Sequence, residues 1–247
     1  MAPQNKSLTR KDQILQAAER VFARKGFHDA TISDVAREAK VSEATIYEYF
    51  LSKEELLFLI PGATARRGKE NLEFVLRFIR SAADRIRAFI YDHLNFYQNH
   101  PDYASVSMLI LKPNRKFLET EAYQDVQELA RVLLQIIREG IARGEFRSDL
   151  DPYLTRSAVL GTIEHEVTRQ VLLGKPENLV ALTDPLTELI VGGISAREPA
   201  KVWNFSIGLD EGEKREGGRS APGGKPPDSK GTAAPAARKK TSSKVSS

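Results

Sequence analysis

The chain has 247 residues, 41% of them hydrophobic, enough to bury one or two cores. It has no cysteine, which excludes disulfides, zinc–thiolate centres and thiol catalysis. Of 37 Lys and Arg and 33 Asp and Glu, nine basic and five acidic residues fall in 210–247. The rest of the chain carries 28 of each sign, so the net charge of +4 belongs to the C-terminal stretch and the high pI does not mark the remainder as a polyanion binder. Locally, Lys6, Arg10, Lys11, Arg20, Arg24 and Lys25 outnumber Asp12 and Glu19, giving the arm 1–7 and the first helix a basic surface. No run approaches the ~18 apolar residues of a membrane span, and the N-terminus has no signal-peptide core; a soluble, cytoplasmic chain without a membrane partner is expected.

Ile14, Ala18, Val21, Phe22 and then Phe27 form the apolar stripe of a first helix expected to stop at Gly26. Thr31 stands where an N-cap belongs, and Ile32, Val35, Ala36 and Ala39 share one face of a short second helix. Lys40-Val41-Ser42 breaks that pattern, with Ser42 placed to cap a helix from Glu43 to about Phe50. Ile46 and Phe50 anchor that helix inward and leave Glu43, Ala44, Thr45, Tyr47 and Glu48 outside. Ser52 and Glu55 have capping-box spacing, so a further helix begins near Lys53. Two short helices joined by a turn, on a third, have the spacing of a helix-turn-helix reader of DNA. Glu43 and Glu48 are repelled by phosphates, and are expected to face solvent or to pair with Lys40 and Arg37.

Pro61-Gly62 is expected to kink or end the fourth helix and form a joint. Helices follow at Leu72 to Ile79, Ala82 to Asn99 (stopped at His100-Pro101), Asp102 to Leu111, Glu119 to Ala142 (ending at Gly144) and Pro152 to Leu173 (ending at Gly174). The last runs from Glu177 to Ile194 with a break at Pro185; Pro152 and Pro176 both suit a first turn. Strand alternation is nowhere sustained, so the expected fold is all-α, about nine helices, without internal repeats. Its parts are a flexible basic arm (1–7), a DNA-binding domain (8–60), a helical domain (61–197), to which the family resemblance given below assigns ligand binding and dimerisation, and a Gly/Pro/Ser/Lys-rich tail (198–247) whose composition reads as disordered.

The four histidines are His28, His93, His100 and His165. His93, Tyr97 and His100 share a helix face and read as polar contacts of a pocket rather than as metal ligands; no metal or cofactor is expected. Nucleophile elbows, phosphate loops and metalloprotease spacings are absent, so the chain does not read as an enzyme. A pocket among the middle helices would take Phe89, Phe96, Met108, Leu111 and Leu134 as apolar wall and His93, Tyr97 and Glu164 as polar contacts. Along the helix from Pro152, Leu154, Ala158, Gly161, His165, Thr168 and Leu172 recur at three- or four-residue steps. Its small residues suit close helix packing, either between subunits or within one.

Residues 8–60 resemble the DNA-binding domain of the TetR family of bacterial transcriptional regulators. The resemblance rests on Phe27, Ala30, Thr31, Ile32, Val35, Ala36, Ala39, Val41, Ser42, Thr45, Ile46, Tyr47, Tyr49, Phe50, Ser52, Lys53, Glu55 and Leu56. It implies that Thr31, Thr45, Tyr47, Tyr49 and Lys53 meet DNA, mostly at phosphates, beside Lys40, Ser42, Glu43 and Ala44. Two departures are Lys40 and Ala44, where the family often has glycine; left-handed backbone at Lys40 would cost about 1 kcal/mol, which a packed turn tolerates.

The segments Gly144 to Leu173 and Leu179 to Ile194 are similar to the C-terminal part of TetR-family regulators of fatty-acid degradation, which sense acyl-CoA. That likeness implies a homodimer joined through Ala158, Gly161, His165, Thr168 and Leu172 with the final helix, an operator of two half-sites, and a repressor released by a small apolar or amphipathic effector, acyl-CoA being the candidate. The phosphates of such a ligand would need a basic mouth, for which Lys112, Arg115, Lys116 and Arg131 are candidates. The alternative is a nonspecific, nucleoid-associated DNA binder that relies on tail residues such as Arg238, Lys239, Lys240 and Lys244.

Overall fold

Thr9 opens the first helix with a reciprocal cap: its hydroxyl accepts the Asp12 N–H at 3.2 Å, and the Asp12 carboxylate accepts the Thr9 N–H at 3.2 Å. The structure, a computed structural model, describes residues 9–196. The arm 1–7 and the tail 198–247, with Trp203, Phe205 and the terminal basic residues, lie outside the described residues. Helix α1 spans Arg10–Asp29, but Gly26 at φ 76° interrupts it, so the expected stop is a local break followed by one more turn. Its inner face buries Ile14, Ala17, Ala18, Val21 and Phe22.

Helix α2, Ile32–Ala39, is capped by Thr31, which exchanges hydrogen bonds with Asp34. Lys40 follows in the left-handed region (φ 56°, ψ 46°), and the Val41 N–H closes the turn on the Ala36 carbonyl at 3.0 Å. The turn thus forms without glycine. Helix α3 is regular only over Glu43–Tyr47, shorter than expected, although the Phe50 N–H still reaches the Ile46 carbonyl at 3.0 Å. Ile46 and Phe50 are buried as their spacing predicted.

Helix α4, Lys53–Leu76, continues through Pro61-Gly62, so the helix does not end there, and the separate helix expected from Leu72 to Ile79 is corrected, its first part belonging to α4. Packing explains it. Helix α7 (Glu121–Ala142) lies against this stretch so closely that a Cβ on Gly62 would stand 3.1 Å from Asp125 Oδ2 and 3.4 Å from Ala122 Cβ. Ion pairs Arg66–Asp125 and Lys69–Glu128 continue the contact, and the burial offsets the one helical hydrogen bond that proline removes.

Helix α5 spans Ala82–Asn99 and stops at His100-Pro101, as expected. The expected single helix to Leu111 is instead α6, Pro101–Ser105, continued by a π-helical segment, Val106–Leu111. Such wide turns are energetically poor and concentrate at functional sites. Helix α7 is followed by Gly144 at φ 71°, and α8, Pro152–Leu173, by Gly174 at φ 67°. The final expected helix is corrected to a 3₁₀ turn, Val180–Leu182, and α9, Thr183–Ile194. Pro185 does not break α9, because it falls in the first turn, where N–H groups have no helical partner; Pro176 lies in the preceding loop instead.

Among the described residues the fold is all-α, with one isolated bridge between Phe146 and Ser195. Two apolar clusters hold it together. One joins Ile14, Phe22, Val35, Ile46, Phe50 and Leu56 to Tyr103, Val106, Leu111 and Phe117, so the core of the N-terminal reader extends into the later helices. The other is built from Leu72, Phe89, Leu94, Leu133, Ile137, Phe146, Ile163 and Val167.

Candidate DNA-binding face and effector cavity

The outer face of the reader is carried by α3 and its flanks. The Ser42 hydroxyl accepts the Thr45 N–H at 3.0 Å, and the two hydroxyls lie 2.9 Å apart. Glu43, Ala44 and Glu48 are exposed beside them, as are Tyr47 (53%) and Tyr49 (42%). Thr31 and Lys40 are also exposed, so eight of the nine expected DNA-facing residues sit along one short stretch with an accessible or half-buried side chain. Arg37 pairs with Asp34 rather than with Glu43 or Glu48.

The ninth, Lys53, is placed differently from the expectation. Its ammonium donates to the carbonyls of Phe27 (2.7 Å), Ala30 (2.7 Å) and His28 (3.3 Å), and lies 4.6 Å from the Phe27 ring centroid. An ammonium has three N–H donors, and these carbonyls take them. Lys53 therefore clamps the end of α1 onto α4. The basic surface of α1 is also partly neutralised. Arg20 (2.8 Å) and Arg24 (3.4 Å) bind Glu38, and Lys25 binds Asp34 at 2.8 Å. The Lys25 and Thr31 hydrogen bonds hold the Asp34 carboxyl well below the usual carboxylate range.

Behind this face lies a cavity of ≈ 760 Å³, within the range of about 300–1,000 Å³ common to small-molecule sites. His93, Phe96, Tyr97 and Glu164 line it, as expected. Phe89, Met108, Leu111 and Leu134 do not, and this is a correction. Phe89 is fully buried beneath the His93 ring (centroids 4.0 Å apart), Met108 belongs to the second apolar cluster and Leu111 to the first, and Leu134 is buried elsewhere on α7. The apolar wall is instead Leu15, Ile60, Ala65, Val126, Leu129, Leu160 and Ile163. Of the expected basic mouth only Lys112 lines the cavity, where it pairs with Glu164. Lys116 is drawn to Glu54 at 3.1 Å, Arg131 pairs with Glu128 along its own helix, and Arg115 is exposed away from the lining.

Sequence reasoning missed the contribution of the reader itself: Asp12, Leu15, Gln16, Glu19 and Arg20 of α1 form one wall. The half-polar face of α1 was the only signal, and solvent exposure explains such a face equally well. Burial, and then the neighbouring Asp102, push the Glu19 carboxyl up to about 7. Burial raises Asp92 to about 6 and lowers His93 to about 4, so at neutral pH the imidazole is uncharged, with Nδ1 3.0 Å from the Phe89 carbonyl. Burial and the nearby Glu164 keep the Tyr97 phenol protonated.

On α8 the two faces separate cleanly. Thr155, Val159, Ile163 and Val167 point into the subunit, whereas Ala158, Gly161 and His165 are exposed and Thr168 is half-buried. Leu154 (70%), Leu172 (61%) and, on α9, Leu189 (71%) extend the exposed face. The stripe is thus not buried within one subunit.

The family model "Bacterial regulatory proteins, tetR family" matches residues 14–60, and that of the "YsiA-like protein, C-terminal region" matches 70–193, half of the chain. The chain belongs to the tetR family of bacterial regulatory proteins. Within that family it is 31% identical over 182 residues to the fatty acid metabolism regulator protein of Bacillus subtilis, covering 74% of this chain and 94% of the relative. Its fold is similar to that of the transcriptional regulator FadR from Bacillus subtilis in complex with stearoyl-CoA (TM-score 0.67, 31% identity, 74% and 98% of the two chains). It is also similar to the fatty acid degradation regulator FadR of Bacillus halodurans (TM-score 0.69, 27% identity, 76% and 97%). The likeness to these relatives therefore spans both the reader and the helices around the cavity.

Proposed function

We propose that the protein is a cytoplasmic, dimeric tetR-family repressor of transcription, not an enzyme, and that a long-chain acyl-CoA releases it from its operator. The observation that carries this reading is the wall that α1 contributes to the cavity: Leu15, Gln16 and Glu19 line it while Ile14, Ala17 and Ala18 of the same helix form the reader's core. A ligand that fills the cavity pushes on the element that positions α3. The family relationship supplies the ligand class, since the Bacillus subtilis relative was solved with stearoyl-CoA.

Dimerisation through the exposed face of α8 and α9 sets two α3 helices at the separation of two half-sites, about 34 Å or a multiple of it. Ser42, Thr45, Tyr47 and Tyr49 hold phosphates and the edges of the groove, with Lys40 and Thr31 at its rim. A coupling of about 1–3 kcal/mol between cavity and DNA, five- to 150-fold in affinity, is sufficient for release. The test is selection of binding duplexes from a random library by the full chain, followed by titration with stearoyl-CoA. A near-palindromic site released by stearoyl-CoA is the expected result. Binding without sequence preference that disappears when residues 210–247 are deleted would favour the nonspecific alternative.

A further inference from the structure

Lys112 and Glu164 form an ion pair at the cavity wall between two elements with different attachments. Lys112 directly follows the π-helical segment, whose Val106 and Leu111 are buried in the core that also holds Ile14, Phe22 and Ile46 of the reader. Glu164 lies on α8 between Ile163, buried in the second cluster, and His165, exposed on the face proposed to join subunits. The pair thus ties the reader's core to the dimer helix. Both side chains remain partly accessible, at 37% and 36%.

We propose that this pair is a latch carrying part of the coupling between cavity and DNA, and that the effector's anionic group opens it by taking Lys112 from Glu164. This rests on the effector-released repressor reading given above. Arg20, also on the cavity wall, is held by Glu38, which lies outside the cavity, so a ligand gains nothing by exchange there. Lys112 is different because its partner lines the same cavity and can be replaced like for like by a carboxylate or phosphate. Tyr97, Ser107 and the uncharged His93 line the same cavity and can bond a displaced carboxylate or the ligand's polar atoms; Arg67 of α4 is a further cation on the wall. An apolar chain alone fits the wall of Leu129, Leu160 and Ile163 yet leaves the latch closed. The effector class is therefore an apolar chain bearing an anion, either an acyl-CoA or a free fatty acid.

The two partners have separable effects. Either Lys112→Ala or Glu164→Gln breaks the latch, so both should weaken ligand-free binding to the selected duplex in the same direction, by about threefold, as a half-exposed pair allows. Their responses to effector should diverge. Lys112→Ala removes the anion's partner and should need at least about tenfold more oleoyl-CoA for half-release, whereas Glu164→Gln removes the competitor and should need several-fold less. Oleyl alcohol should release none of the three proteins. The exchanged pair K112E/E164K should regain ligand-free DNA affinity, which separates latch loss from misfolding.

Fluorescence anisotropy of the full-length proteins on the selected duplex reads all of these, with oleoyl-CoA and oleate titrated separately to show which anion acts. If both variants overlay the wild type, or shift the effector midpoint in one direction, the latch is overturned while the acyl-responsive repressor stands. If the wild type binds its duplex and neither oleoyl-CoA nor oleate releases it, the effector reading fails and takes the latch with it.

Discussion

Lys53 Nζ donates to the Phe27 carbonyl at 2.7 Å and sits 4.6 Å from the centroid of the same residue's ring, so one ammonium stitches the first turn of α4 to the end of α1. A charged donor serving three carbonyls is worth more than an ordinary surface lysine. Lys53→Ala should lower stability by about 1–3 kcal/mol, read as a fall in urea midpoint. DNA affinity should fall with it, but the salt slope should change by less than the loss of one full phosphate contact, about 0.9.

Tyr47, 53% exposed on the outer side of α3, has the opposite signature. Tyr47→Ala should leave the melting temperature within about 1 °C, because an exposed side chain contributes little to the fold. It should weaken binding to all duplexes alike, with an unchanged salt slope, since a phenol releases no counterion. Equal affinity of the variant and wild type on the selected duplex would remove Tyr47 from the contact face.

Gly161 faces outward on α8, with no atom within 4 Å of a Cβ built on it. Gly161→Arg therefore fits the isolated subunit and should leave its fold intact. Across a close two-fold helix contact the same side chain has no room and brings two like charges together. The expected result is a shift from dimer to monomer by light scattering, accompanied by loss of high-affinity operator binding. A variant that remains dimeric would place the interface elsewhere.

Glu19 gives a pH dependence with a definite sign. Its carboxyl is raised from an ordinary 4.5 to about 7, so the folded state holds a proton that the unfolded state has released throughout that interval. Stability from this group therefore rises as pH falls from about 7 towards 4.5, and its penalty is full above 7. Asp92 acts likewise between 3.8 and about 6. His93, lowered from 6.5 to about 4, works the other way, because the unfolded chain takes up its proton first as pH falls. Glu19→Gln isolates the first contribution. The variant should exceed wild type in urea midpoint at pH 8, and the gap should close by pH 4.5. A pH-independent gap would show that Glu19 is not desolvated.

Gly140 on α7 is where a Cβ would overlap the Phe146 ring and approach Ala82 Cβ to 2.9 Å. Phe146 is fully buried, in one apolar cluster with Ala82 and Ile137. Gly140→Ala, which should favour a helix by propensity, should instead destabilise by about 1–3 kcal/mol through overpacking. Calorimetry distinguishes the two signs directly.

The helical recurrence of apolar positions, the capping residues Thr31, Ser42 and Ser52, and the stops at Gly144 and Gly174 were legible without any structure. Each acts within one turn of the chain, over distances that sequence spacing reports. For the same reason α5 and α8 have the boundaries their residues predicted, and the outer face of α3 was identifiable from Ile46 and Phe50 alone. Contacts between distant segments decided the rest. Pro61 stays helical where α7 packs against α4, Leu111 is drawn into the reader's core, and Lys53 finds carbonyls of α1 instead of solvent. The cavity was half visible, as His93, Phe96, Tyr97 and Glu164, because those residues share faces of single helices. Its other half, Leu15 and Glu19 on α1 and the joining of Lys112 to Glu164, exists only once α1, α4, α5, α6, α7 and α8 meet, and spacing along one chain segment carries no trace of such a meeting.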